Sequence, residues 1–278
     1  MTRTRVIVAL ILTPLAIAAI LLVPTPWMVA LAAVVFLIGL WEWFRLVDID
    51  DTLARTMLLV ANMALMVAIV WGSRTSSGFM YVLLQIMTVI GVAWWLLAAL
   101  WLKHFDFASD HATHARVFKL AAGTLAIVPA WSALGVLHGS QPNGHRWLLL
   151  ALAIVWAADS GAYFAGRRYG KRKLAPRISP NKTVEGAIGG LACGLLVAMV
   201  LAPFAGASLA QLPLVAVVAV VAVAFSIVGD LFESLLKRHV GAKDSGDLIP
   251  GHGGVLDRID GVLAALPVFA LGKAWLGF

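Results

Sequence analysis

The uncharged stretch GAIGGLACGLLVAMVLAPFAGASLAQLPLVAVVAVVAVAFSIVG, residues 186–229, decides the fold class. It contains no Asp, Glu, Lys or Arg. It is too long for a single membrane crossing, because a helix needs only about 20 residues to span the hydrocarbon layer. Pro203, Gly206 and Pro213 interrupt the stretch near its middle, and both residue types favour turns. The stretch therefore predicts two consecutive transmembrane helices joined by a short turn.

The composition extends this interpretation to the whole chain. Of the 278 residues, 62% are hydrophobic and only 13% are charged, whereas roughly a quarter of a soluble domain is charged. The single cysteine, Cys193, excludes an internal disulfide and a cysteine-based metal cage. We expect an all-α, polytopic transmembrane protein with about nine helices. The predicted spans are residues 6–23, 27–44, 56–73, 79–102, 119–138, 147–165, 186–204, 212–236 and 261–277.

The basic residues predict the orientation. With nine spans and a cytoplasmic N-terminus, 18 of the 21 Lys and Arg fall in cytoplasmic loops, and only Arg74, Arg146 and Lys273 lie outside them. This asymmetry follows the positive-inside rule and supports both the number of spans and the orientation. We expect an integral protein of a bacterial-type cytoplasmic (inner) membrane. Arg3 and Arg5 precede an apolar run, as in a signal peptide, but no clear cleavage site follows, so we expect a retained first span.

The polar residues concentrate in the second half of the chain, where 8 of the 14 acids lie beyond residue 150. We therefore expect residues 1–145 to form an N-terminal transmembrane scaffold of about five helices. Residues 146–278 would form a catalytic region of about four helices with two cytoplasmic polar loops. This distribution predicts an active site at the cytoplasmic interface.

The first polar block begins inside the sixth predicted span. Asp159 would lie in the inner half of the bilayer, where a carboxylate is a candidate for function, although a structural ion pair is the alternative. Gly161 and Gly166 have the spacing that allows helices to pack closely. Further on, Ser179-Pro180-Asn181-Lys182-Thr183 places hydroxyls and a lysine at an expected helix start. Such a start can bind phosphate, and an ordinary capping box is the alternative.

The second polar block begins in the eighth predicted span. Asp230, Glu233 and Lys237 share one helix face, and the last two could simply support the helix as an ion pair. Asp257 and Asp260 follow a glycine-rich loop. Carboxylates near one membrane face suit Mg²⁺, which binds oxygen ligands and substrate phosphates. Histidine does not suit that ion, so we expect His252 to order the loop or to contact substrate.

These side chains indicate phosphoryl or nucleotidyl transfer, which needs carboxylates for a metal and cationic groups for phosphates. The chain has no G-x-x-x-x-G-K-[ST] loop, no G-x-S-x-G turn and no H-E-x-x-H helix. Consequently the sequence does not favour a P-loop ATPase, a serine hydrolase or a zinc protease.

Residues 234–260, SLLKRHVGAKDSGDLIPGHGGVLDRID, resemble the diagnostic motif of the phosphatidate cytidylyltransferases (CDP-diacylglycerol synthases). The motif consists of Ser, Lys-Arg, Lys-Asp, His-Gly-Gly and Asp-Arg-x-Asp at fixed spacings. The upstream arrangement D-x-x-A-Y-x-x-G-R-x-x-G followed by S-P-x-K-T-x-E-G, residues 159–186, also resembles that family. The resemblance is strong over residues 155–262 and weak before them.

The resemblance implies that CTP and phosphatidic acid react to CDP-diacylglycerol and pyrophosphate in phospholipid biosynthesis, with Mg²⁺ as the cofactor. It implies catalytic roles for Asp230, Lys237, Asp257 and Asp260. Of these, Asp230 and Asp257 are the leading metal ligands, Asp260 supports them, and Asp159 is a further ligand or an orienting group. The implied substrate-binding residues are Ser179, Lys182, Thr183, Arg238, Lys243, Asp244, His252 and Arg258. A homodimer in contact with membrane lipid, without a nucleic-acid partner, is the corresponding expectation.

Two other functions remain open from the residues alone. A CTP-dependent lipid kinase of the polyprenol or phytol type would use the same nucleotide but transfer its γ-phosphoryl group. A transporter would bind a coupling ion at intramembrane Asp159 and Asp230. The complete His-Gly-Gly to Asp-Arg-x-Asp motif argues against the kinase, and the absence of internal sequence repeats argues against the transporter.

Overall fold

The computed structural model describes residues 2–75, 78–79, 81–110, 112–248 and 253–278. This part of the chain forms nine α-helices, one 3₁₀ turn and two short antiparallel hairpins. The helices are α1 (Thr2–Leu22), α2 (Thr25–Arg45), α3 (Thr52–Gly72), α4 (Val82–Trp101), α5 (Thr113–Gly139), α6 (Gly144–Tyr169), α7 (Val184–Ala205), α8 (Leu212–His239) and α9 (Leu256–Leu276), with the 3₁₀ turn at Leu209–Gln211. The strands β1 (Arg74–Thr75) and β2 (Gly78–Phe79) form the first hairpin, and β3 (Lys173–Ala175) and β4 (Ser179–Thr183) form the second.

The helices confirm the prediction of an all-α, polytopic membrane protein. Within the described residues, α2 to α9 are each long and apolar enough to cross a membrane, and the apolar part found in α1 is Leu10–Leu22. The last helix begins at Leu256, five residues before the predicted span. The prediction followed hydropathy alone, and hydropathy excludes the charged first turn that the structure includes in the helix.

Helices α6 and α7 pack against each other through small residues, as the spacing of Gly161 and Gly166 predicts. A Cβ on Gly161 would lie 2.5 Å from Sγ of Cys193, and one on Gly166 would lie 3.5 Å from Cα of Gly186. A Cβ on Gly189 would overlap that of Ala165. The two backbones therefore approach more closely than side chains would permit, and Cys193 belongs to this helix interface.

The hydrophobic core continues across residue 145, the predicted boundary between scaffold and catalytic region. Trp43 of α2 stacks on Phe232 of α8 with ring centroids 6.0 Å apart. Trp95 of α4 donates its indole N–H to the carbonyl of Leu263 in α9 over 2.9 Å. The first helices thus support α8 and α9 directly, and the division into two regions stays a prediction.

We expect Gly189→Leu to destabilise the protein, because the added side chain has no space between α6 and α7. Overpacking of this kind costs about 1–3 kcal/mol or more. Ala192→Leu is the matched control, since Ala192 lies on the exposed side of the same helix. The thermal midpoint of each detergent-solubilised variant is the measurement, and equal midpoints would contradict the close packing of α6 and α7.

Candidate active site

A polar cavity of about 710 Å³ lies between one end of α6, α7, α8 and α9 and the β3–β4 hairpin. Because these helices alternate in direction, the C-terminal ends of α6 and α8 meet the N-terminal starts of α7 and α9. Of the thirteen site residues that the sequence predicts, ten line this cavity. They are Asp159, Ser179, Lys182, Thr183, Asp230, Lys237, Asp244, Asp257, Arg258 and Asp260.

An ion pair joins the hairpin to α8. Lys182 of β4 contacts the carboxylate of Asp230, and both side chains are partly exposed. Asp230 also interacts electrostatically with Asp159 of α6 and Asp260 of α9. Three acids from three helices therefore approach one another around a single lysine. The helix-face prediction is confirmed as well, because Asp230, Glu233 and Lys237 all line the cavity.

Lys237 connects α8 with α9. Its ammonium group lies 2.7 Å from Oε2 of Glu233 and 2.7 Å from Oδ1 of Asp257. The pair of Glu233 and Lys237 therefore does more than support α8, because Asp257 belongs to the same network. Two carboxylates fix the direction of this ammonium group. Charge-assisted hydrogen bonds of this kind are strong enough to hold a cation in place between helices.

Asp257 is surrounded by hydrogen-bond donors. Its Oδ1 accepts a hydrogen bond from Lys237, and its Oδ2 accepts from the backbone N–H of Gly254 over 2.8 Å. The N–H and the hydroxyl group of Ser245 lie 3.0 Å from the same Oδ2. These contacts hold the loop before α9 against the helix. The metal-ligand role of Asp257 stays a prediction, and the observed contacts support a role in positioning Lys237.

The Ser179–Thr183 segment has a different local structure from the one predicted. It forms strand β4, and only Thr183 lies at the helix start, where its Oγ1 accepts a hydrogen bond from Gly186 N–H over 3.1 Å. The N–H of Val184 donates to the carbonyl of Arg172. Since these two N–H groups already have partners, Lys182 and the hydroxyl groups are the better candidates for phosphate binding.

Three of the predicted site residues are not among the described residues that line the cavity. Arg238 donates from Nε to the carbonyl of Ile178 over 3.1 Å and so holds the hairpin. Lys243 lies on the exposed surface of the loop after α8. His252 lies outside the described residues. The substrate-binding roles of all three stay predictions.

The donor chemistry of the cavity fits Mg²⁺. Among the residues that the structure describes, no group of three His, Cys, Asp or Glu side chains forms a ready metal cage. Mg²⁺ does not need one, because it usually takes one or two protein carboxylates and completes its shell with water and substrate phosphates. Asp230 and Asp260 offer such carboxylates at the cavity wall, and Asp159 lies beside them.

The structure adds three candidate site residues to which the sequence interpretation assigned no role in the site. Arg167 and Tyr163 of α6 line the cavity, with Arg167 donating to the tyrosine hydroxyl over 3.2 Å. Both belong to the upstream arrangement that resembles the family, residues 159–186, but neither was assigned a role of its own. Glu42 of α2, buried to 4% exposure, binds the loop beside Asp257. It lies inside a predicted span, so the rule that singles out Asp159 also singles out Glu42.

Comparisons with known proteins place the chain in a family. The model of the family described as "Cytidylyltransferase family" matches residues 3–274. A phosphatidate cytidylyltransferase of Pseudomonas aeruginosa is 38% identical over 270 residues, which cover 97% of this chain and 96% of that protein. One of Haemophilus influenzae is 36% identical over 97% of this chain and 98% of its own length.

Other relatives are more similar to the chain, but over a shorter aligned region. A phosphatidate cytidylyltransferase of Brucella suis is 49% identical over 143 residues, about half of each chain. The family model, in contrast, extends from near the start of α1 to α9, and so includes the cavity as well as the helices that support it. The protein therefore belongs to the cytidylyltransferase family.

Proposed function

We propose that the protein is a phosphatidate cytidylyltransferase, which converts CTP and phosphatidic acid to CDP-diacylglycerol and pyrophosphate. The observation that carries this proposal is the single cavity in which the carboxylates of α6, α8 and α9 face Lys182, Lys237 and Arg258. A volume of about 710 Å³ lies within the range of small-molecule sites. The names of the full-length relatives support the same activity.

The reaction needs little proton transfer, because the phosphate of phosphatidic acid is already an anion near neutral pH. The oxygen of that phosphate attacks the α-phosphorus of CTP, and pyrophosphate leaves with the electrons of the broken bond. The main barrier is the approach of one anion to another. Cationic side chains lower it by binding and aligning the phosphates.

The residues of the cavity divide into two groups in this proposal. Lys182, with Ser179 beside it on the hairpin, binds the triphosphate, and Arg258 neutralises charge near α9. Asp230 and Asp260 would hold Mg²⁺, which would neutralise phosphate charge when bound. Lys237 remains in place through Glu233 and Asp257. The three cations therefore lie on different elements, and each can contact a different phosphate.

A CTP-dependent lipid kinase is the alternative that the names of the relatives do not support. Product analysis separates the two activities. Purified protein supplied with CTP, phosphatidic acid and Mg²⁺ should release pyrophosphate and form a CDP-lipid. A kinase would instead phosphorylate a lipid alcohol and release CDP. Turnover in detergent, where no ion gradient exists, would also exclude a transporter that has no enzymatic activity.

We expect Lys182→Ala to raise the KM for CTP by about 10-fold, while the KM for phosphatidic acid changes less. A lysine that binds phosphate interacts most strongly with the more highly charged ligand. Lys173→Ala is the control, because Lys173 is exposed and does not line the cavity. Steady-state kinetics with each substrate varied separately give the answer. A change confined to the lipid KM would assign Lys182 to the lipid phosphate.

We expect Asp230→Asn to lower kcat by about 100-fold or more, because it removes a negative oxygen from the wall that would hold the metal. Asp247→Asn is the matched control, since Asp247 is an exposed acid of the loop outside this cavity. Both variants should retain the thermal midpoint of the native protein in detergent. If Asp230→Asn kept kcat within threefold at saturating Mg²⁺, Asp230 would not be a metal ligand.

The protein is an integral membrane protein, and we propose that the cavity opens to the cytoplasm. CTP carries several charges and cannot enter hydrocarbon, while phosphatidic acid keeps its phosphate at the headgroup plane. The two substrates can therefore meet only at an interface. The positive-inside distribution favours the cytoplasmic one. The homodimer stays a prediction.

Cysteine labelling tests this orientation. In a Cys193→Ala background, Leu248→Cys should react with a membrane-impermeant thiol reagent in inverted vesicles and not in intact cells. Leu248 is 60% exposed on the loop after α8. Ala210→Cys, in the exposed turn at the opposite end of α8, should show the reverse pattern. Labelling of Leu248→Cys from outside intact cells would overturn the proposed orientation.

A further inference from the structure

We propose that Glu42 is a positioning residue of the active site, although it lies on α2, far from the catalytic motifs in sequence. Its carboxylate fixes the glycine-rich loop and the start of α9, and thereby sets the place of Asp257 and Lys237 in the cavity. The inference rests on the proposed function, because it assigns a role within that site. Three independent observations carry it: the contacts of the carboxylate, their connection to Lys237, and the two glycines around it.

The contacts of Glu42 are made to the start of α9. Its Oε1 accepts a hydrogen bond from Val255 N–H over 3.1 Å, and its Oε2 accepts from Leu256 N–H over 2.8 Å. Val255 is the N-cap of α9 and Leu256 is its first residue. Donors at a helix start have no partner within the helix, and the helix dipole favours a negative charge there. A side chain of α2 therefore caps the helix that carries Asp257 and Asp260.

A short chain of contacts connects Glu42 to the cavity. The hydroxyl oxygen of Ser245 lies 3.0 Å from Oε2 of Glu42 and 3.0 Å from Oδ2 of Asp257. The one hydroxyl proton can be donated to either carboxylate. The backbone N–H of Ser245 donates to Asp257, whose other oxygen accepts from Lys237. Displacement of Glu42 would thus change the position of the Lys237 ammonium group.

The glycines of the loop make room for Glu42. A Cβ on Gly246 would lie 2.5 Å from Oε1 and 2.9 Å from Cδ of Glu42. A Cβ on Gly254 would overlap Oε2 of Glu42 and the hydroxyl oxygen of Ser245. Neither glycine has a positive φ. Glycine is therefore required here by the lack of space for a side chain beside Glu42, and the backbone conformation does not require it. Both lie within residues 234–260, the stretch that resembles the family motif.

The energetics agree with a positioning role. Glu42 is only 4% exposed, and an isolated carboxylate at such a place would be strongly disfavoured. Two N–H donors and one hydroxyl offset this cost, and hydrogen bonds to a charged acceptor are the strong ones. The arrangement is consequently stable only while the loop and α9 stay in place around the carboxylate.

The first test is Glu42→Gln, which keeps the size of the side chain but turns one acceptor into a donor. With CTP and phosphatidic acid, kcat should fall roughly 10- to 100-fold, the effect of leaving a buried donor without its acceptor. The KM values should change less than threefold. The matched control is Asp50→Asn, at an exposed acid after α2, which should stay within twofold of the native protein in both constants.

Hydrogen exchange provides a readout that does not depend on the reaction. In Glu42→Gln, peptides covering residues 253–258 should exchange faster than in the native protein, because one of the two N–H groups of Val255 and Leu256 loses its acceptor oxygen. Peptides from the C-terminal half of α9 should be unchanged. If the native protein shows no turnover, the proposed function fails, and the exchange measurement still decides whether Glu42 holds this loop.

Gly246→Ala tests the same contact from the loop side and leaves α2 unaltered. The three atoms nearest to its methyl group all belong to Glu42, so kcat should fall about 10-fold or more in a folded protein. In a Glu42→Ala background the same change should have less than a threefold effect, since the obstructing carboxylate is gone. Gly135→Ala is the control, because a Cβ there has ordinary contact distances in α5. Its fold-change in kcat should be the same in the native and the Glu42→Ala backgrounds.

Any of three results would overturn the inference. The first is Glu42→Gln with native kcat and native exchange over residues 253–258. The second is Gly246→Ala with native kcat, which needs no folded Glu42 variant and so remains decisive if Glu42→Gln fails to fold. The third is Glu42→Gln with lower kcat but unchanged exchange over residues 253–258, because the loop would then not have moved.

Discussion

The cost of placing charge beside hydrocarbon governs this structure. Each ionised side chain at the cavity ends of α6 to α9 needs a partner, because unpaired charge is strongly disfavoured beside hydrocarbon. Lys237 meets this requirement with Glu233 and Asp257, and Lys182 meets it with Asp230. These pairs come from different helices. This pairing lowers the cost of the charges and also brings them together around one cavity, where phosphates and a metal ion could bind.

Close packing of small residues gives the cavity its walls. The glycines between α6 and α7 bring the two backbones together, and this approach holds Asp159 near the hairpin that carries Lys182. On the other side, Trp43, Trp95 and Phe232 fix α8 and α9 against the first helices. The helices that we expected to be only scaffold thus contribute an aromatic support and, through Glu42, a carboxylate beside the loop before α9.

Much of the site was predictable because its chemistry is local in the sequence. Helical spacing placed Asp230 and Lys237 on one face, and motif resemblance named the residues of α9 and its loop. The predicted helix start at Ser179–Thr183 was wrong, because backbone hydrogen bonds decide the structure of this segment. The segment before α7 pairs with β3 and forms a strand, so its N–H groups are less available for phosphate than expected. Glu42 was missed since its partners lie more than 200 residues away.

The sequence by itself determined the class of the protein: apolar segments of spanning length, basic residues biased to one side, and a polar motif of known kind. These properties follow from composition and short-range periodicity, which the chain carries wherever it folds. Only the tertiary structure decided which charges pair. Lys237 could have paired with Glu233 alone, and Gly246 and Gly254 could have served a ligand. The relative positions of α2 and α9 made Lys237, Gly246 and Gly254 parts of one network. Sequence separation does not specify the distances on which such hydrogen bonds depend.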